Sequence, residues 1–165
     1  MTTSPERQQL PDGSHRDPSR LRVDGGSGFS NSRHRILREV LRELRRHPVV
    51  TDVRGSPPST FTELRAELAP QRWGYDVADA TLRVTWTPLD PPEFTFHYSD
   101  ETFDCGWHHE PNPHVEGQAH YQERLGDGEY QYTPTTFDGE TAPELVWEIL
   151  ERLNNRLVER TDTTE

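Results

Sequence analysis

The chain contains no lysine: all 18 basic side chains are arginine, set against 29 carboxylates for a net charge of −11. It has one cysteine, Cys105, which excludes an internal disulfide and any site built from several thiolates of a single chain. Apolar residues make up only 30% of the 165, and the 11 glycines raise the figure to roughly 37% against about 45–50% for an average soluble domain. A supply that thin implies a small core, an unfolded portion, or both. No stretch approaches the ~18 consecutive apolar residues of a membrane span, and the polar N-terminus has no apolar core of a secretory signal. A cytoplasmic protein with no membrane partner is expected. A glycine-rich phosphate loop, a dinucleotide fingerprint, a nucleophile elbow and a zincin helix are also missing, which disfavours those reaction classes. No cofactor is implied.

What is present is acid. A lysine-free chain rich in threonine, aspartate and glutamate has the composition of proteins from salt-loving archaea, and a halophilic setting is expected. There the Debye length falls to about 3 Å at 1 M salt, so net charge describes solubility more than partners. The charge is uneven: the first fifty residues hold ten arginines and six acids, and the remaining 115 hold eight arginines and 23 acids. A basic arm on an acidic body is one route to nucleic acid, although concentrated salt leaves counterion release little drive.

Residues 1–32 carry too few large apolar groups to offset ordering entropy and are expected to form a disordered tail. A single domain is expected over 33–160, with 161–165 a disordered C-terminus. Ile36, Leu37, Val40, Leu41 and Leu44 mark one face of a helix from Arg33 to His47, capped by Ser32 and stopped by Pro48. The stretch from Thr62 to Pro70 suits either a strand or a helix, and a strand is preferred. Alternation then predicts strands over Leu82 to Pro88 and around Phe94, Phe96 and Tyr98. Further extended pieces fall at about Asp104–Glu110, Gln118–Arg124 and Glu129–Tyr132. Thr141 with Glu144 forms a capping box, and Val146, Ile149, Leu150, Leu153 and Leu157 stripe the helix that follows. The expected fold class is α+β: an antiparallel β-sheet of four to six strands, one face covered by an N-terminal and a C-terminal helix, the other partly open. The four tryptophans read as core area more readily than as a base-stacking platform.

Five of the eight histidines fall in one window: His97, His108, His109, His114 and His120. If Phe94, Phe96, Tyr98, Cys105 and Trp107 face the core, strand parity turns His97 and His108 to the open face, and Arg83 points the same way. His120 joins them in one of the registers available. Imidazoles beside a guanidinium can exchange protons with a phosphodiester and stabilise its charge, so His97, His108, His120 and Arg83 are candidate catalytic residues of a metal-independent ribonuclease. Two other readings stand beside this one. The histidines are structural residues of a half-exposed sheet, or His109, His114 and His120 with Asp104 or Glu110 ligate a divalent ion.

The stretch FHYSDETFDCGWHHEPNPHVEGQAHYQE and the closing helix TAPELVWEILERLNNRLVE, within residues 81–160, resemble the TumE-type toxin components of toxin–antitoxin pairs. They are also similar to a group of haloarchaeal proteins with a comparable segment around Pro111-Asn112-Pro113-His114. The resemblance implies a cytoplasmic protein neutralised by a cognate antitoxin and directed at RNA, and it carries over Asp100, His109, His114 and His120. The arm and first helix before Thr81 lengthen the compact toxin unit. An alternative is therefore a non-enzymatic interaction module in which the histidines are structural.

Overall fold

A computed structural model describes residues 25–163. Of the expected tail over 1–32, residues 1–24 lie outside the described residues, and 25–32 are helical instead of disordered. Two helices flank seven strands: α1 (Gly25–Arg46), β1 (Val50–Ser56), β2 (Glu63–Leu68), β3 (Thr81–Thr87), β4 (Glu93–Ser99), β5 (Asp104–His109), β6 (Ala119–Arg124), β7 (Tyr130–Pro134) and α2 (Ala142–Thr163). A short 3-10 turn, Pro70–Trp73, lies between β2 and β3. The strands form one antiparallel sheet in chain order, β1 to β7. The class is α+β, with seven strands rather than four to six.

The extra strand is β1. Its register on β2 slips between Val50 and Asp52, so Val50 pairs with Leu68 while Val53 pairs with Ala66. The bulge breaks the alternation by which a strand is recognised. The first helix starts at Gly25, not Arg33, which places Ser32 inside it instead of at its cap. Arg33 lies over the Phe29 ring one turn earlier, 5.6 Å from its centroid, a contact that helps the glycine- and serine-rich turn stay helical. At the other end α2 continues to Thr163, past the expected boundary at 160.

One face of the sheet is covered. Alternate residues Val53, Leu64, Ala66, Leu82, Val84, Trp86, Phe94, Phe96, Tyr98, Cys105 and Trp107 are buried there. They meet Leu37, Val40 and Leu44 of α1 and Val146, Ile149, Leu150, Leu153 and Leu157 of α2 in one hydrophobic cluster. Trp86 stacks on Phe94 with ring centroids 4.9 Å apart. The capping box of α2 forms as expected: the Thr141 N–H donates to Glu144 Oε2 at 3.0 Å, and the Glu144 N–H donates to Thr141 Oγ1. Arg156 of α2 pairs with Glu123 of β6 at 2.6 Å and ties the helix to the far half of the sheet.

Candidate functional site

The uncovered face follows from the same parity. With Phe96 and Tyr98 turned to the helices, Thr95, His97 and Ser99 of β4 point away; with Cys105 and Trp107 turned in, Gly106 and His108 of β5 point away. Register then aligns these residues into rows across the strands. Arg54 pairs with Arg65, Arg65 with Arg83, Arg83 with His97, His97 with Gly106, and Gly106 with Gln122. In the next row Thr85 pairs with Thr95, Thr95 with His108, and His108 with His120.

The Arg65 and Arg83 side chains are exposed and form no ion pair or hydrogen bond with any described residue. Arg54, one strand further out, is paired with Asp52 at 2.7 Å. Two adjacent guanidiniums therefore have no partner among the described residues, in a chain of net charge −11.

The histidine half of the face is tightly wired. His97 Nε2 lies 2.9 Å from Asp104 Oδ1, which also accepts the Tyr130 hydroxyl at 2.8 Å. His108 Nδ1 lies 3.0 Å from Glu110 Oε1. His120 Nδ1 donates to the Gln118 carbonyl at 3.1 Å, which leaves its Nε2 as an acceptor for the Asn112 amide at 3.3 Å. With the carboxylates taking a proton donor on one side of each ring, His97 Nδ1 and His108 Nε2 are the nitrogens left over. A Cβ on Gly106 would lie 2.9 Å from the first and 2.7 Å from the second, so both converge above that glycine. The His108 Nε2 is buried with no hydrogen-bond partner. Burial holds the His108 pKa below its ordinary value, with Glu110 acting against it and the neighbouring His120 and His97 reinforcing it.

His97, His108 and His120 thus form a chain of rings, with centroids 6.0 Å apart from the first to the second and 5.2 Å from the second to the third. Arg83 stands beside its open end. His108 and His120 are 8% and 0% exposed, however, while His97 and Arg83 reach solvent. The other expected ligand set is dispersed. His109 Nδ1 bonds the Pro92 carbonyl at 2.6 Å and its ring stacks on Phe94, and His114 stacks on Tyr132. Asp100 closes the β4–β5 turn by accepting from the Thr102 and Phe103 N–H groups and from the Tyr98 hydroxyl. Cys105 is fully buried on the covered face, and burial pushes its thiol pKa up, away from a nucleophilic thiolate.

The carboxylate partners were the less visible half. Asp104 and Glu110 carry weight through which ring each reaches, which depends on register. Arg65 shares the parity of Arg83, and Gly106 inside a strand of aromatic and histidine residues marks a close approach of other groups. No protein-family model, curated protein or solved structure matches the chain.

Proposed function

We propose that the open face binds the phosphodiester backbone of RNA, with Arg65 and Arg83 contacting phosphates and His97 at the edge of the same row. The observation that carries this reading is the pair of exposed guanidiniums that have no counter-ion among the described residues, aligned in register with an accessible imidazole whose ring Asp104 orients. Guanidinium presents a planar fork of donors that matches phosphate bidentately, and such contacts give affinity without sequence preference.

Binding is favoured over cleavage. A group that exchanges a proton with a bound polymer has to reach it, and the free His108 nitrogen has no accessible surface while His120 is fully enclosed. The TumE-type resemblance points to an RNA-directed role as well, with an antitoxin as the protein partner.

The test is fluorescence anisotropy of a labelled single-stranded RNA with the wild type, an Arg65→Ala/Arg83→Ala variant, and an Arg45→Ala/Arg46→Ala control on α1. Wild type and control are expected to bind alike, and the sheet variant at least about tenfold more weakly. Its salt slope should be shallower by about 1.4, two phosphates at about 0.7 each. Equal binding by all three proteins, or none by the wild type, overturns the reading. Growth arrest on induced expression that disappears in the sheet variant would extend it to a toxin.

A further inference from the structure

His108 and His120 are the polar residues among the buried side chains of the described chain, and the RNA-binding reading uses neither. From their geometry we infer that His108, Glu110 and His120 form a site for one divalent transition-metal ion of the zinc class. One potential ligand atom from each lies within 4.8 Å of those from the other two. A tetrahedral ion with bonds of 2.0–2.1 Å holds its ligands about 3.3 Å apart, so modest side-chain rotation closes the set.

Three independent features prepare these residues for an ion. First, His120 has its tautomer set by the Gln118 carbonyl, which takes the Nδ1 proton and leaves Nε2 as a lone pair, as outer carbonyls do for metal-ligating histidines. Second, His108 turns Nδ1 to within 3.0 Å of Glu110 Oε1, so an ion that replaces the proton between them finds both ligand atoms side by side. Third, the three residues bracket the β5–β6 connection, whose ends are joined by the Glu110 N–H donating to the Gln118 carbonyl at 3.1 Å. Glu110 and His120 thus stand at the two feet of one loop. The Asn112 amide, which donates to His120 Nε2 in the absence of an ion, swings aside when that nitrogen ligates.

The donor set chooses the metal. Two imidazoles with one carboxylate suit zinc, cobalt, nickel or copper, whereas magnesium and calcium require oxygen ligands throughout. Three protein ligands leave a fourth position for water, and the burial of both rings restricts what else enters. The ion clamps the loop from Pro111 to Gly117 against the ends of β5 and β6, beside the RNA-facing row. The inference stands whether or not that row binds RNA.

The experiment uses the untagged full-length chain, stripped with chelator, and titrates it with Co²⁺ followed by visible absorption and with Zn²⁺ by calorimetry. Glu110→Gln, His108→Asn and His97→Ala are compared, each checked by circular dichroism. Glu110 is half-exposed, so its variant folds even if replacement of a buried histidine does not. The wild type is expected to bind one equivalent with tetrahedral cobalt bands and a raised unfolding midpoint, and to ignore Mg²⁺. Glu110→Gln should weaken binding by about tenfold or more, and His97→Ala should leave the stoichiometry at one. Absence of stoichiometric binding by the wild type, or undiminished binding by Glu110→Gln, overturns the site.

Discussion

Gly106→Ala is the sharpest test of how the open face is built. The new methyl would sit 2.7 Å from His108 Nε2 and 2.9 Å from His97 Nδ1. Ordinary carbon–nitrogen contacts begin near about 3.4 Å, so the first ring must retreat by about 0.7 Å and the second by about 0.5 Å. Neither moves freely: His97 is held by Asp104 and His108 by Glu110, and the His120 ring stands behind His108. Overpacking of this kind costs about 1–3 kcal/mol. Against it, replacing a strand glycine with alanine recovers about 0.5–1 kcal/mol of backbone entropy. The net is a loss of about 1 kcal/mol, which lowers the thermal midpoint of a domain this size by about 2–4 °C. Thermal and denaturant unfolding measure it, with an unchanged denaturant slope showing that stability alone has moved. A second readout separates crowding from a generic defect: displacement of His108 should weaken Co²⁺ binding while leaving RNA affinity, which rests on Arg65 and Arg83, near the wild-type value. A Gly106→Ala protein as stable as wild type with unaltered cobalt affinity would refute the placement of the two rings.

Two further perturbations probe the frame. Trp86→Ala removes an indole stacked on Phe94 in the core and is expected to cost about 3–5 kcal/mol by denaturant unfolding; a loss below about 1 kcal/mol would invert the assignment of the sheet faces. The His47 ring stands between Trp73 and Trp147, its Nδ1 accepts the Val49 N–H at 3.2 Å, and burial lowers its pKa. The unfolded chain, with a histidine pKa near about 6.5, therefore takes up that proton first, so this contribution is intact above pH 6.5 and is lost as pH falls from there toward the folded value. Unfolding midpoints recorded across this range should drop less steeply in His47→Gln than in wild type, and parallel profiles would remove His47 as the cause.

The fold was legible wherever a single period ran unbroken. β3 and β4 alternate without interruption, and the stripe of α2 is announced by its capping box, so type, parity and covered face follow directly. β1 was hidden because its two valines are put out of phase by the bulge and it is bracketed by Pro48 and Pro57. The first two turns of α1 were hidden because Gly25, Gly26, Gly28 and three serines have poor helix propensity, which packing further along overrides.

The site was legible to the level of faces and no further. Parity alone turns Arg83, His97 and His108 to the same side, but their neighbours depend on register, which sets His120 opposite His108 and Gly106 between His97 and Gln122. Burial was less visible still, since a histidine on an open face is expected in water, yet neighbouring rings and the Asn112 loop enclose His120 completely. Gly106 supplies the missing clue in retrospect. A glycine in mid-strand is unfavourable by about 0.5–1 kcal/mol relative to alanine, and its neighbours Cys105 and Trp107 are good strand residues, so local preference argues against it there. The position makes sense once two imidazoles have to meet over bare backbone. Where a local rule is broken in an otherwise consistent strand, the reason lies in what approaches it, and here that is the pair of rings whose free nitrogens converge on the glycine.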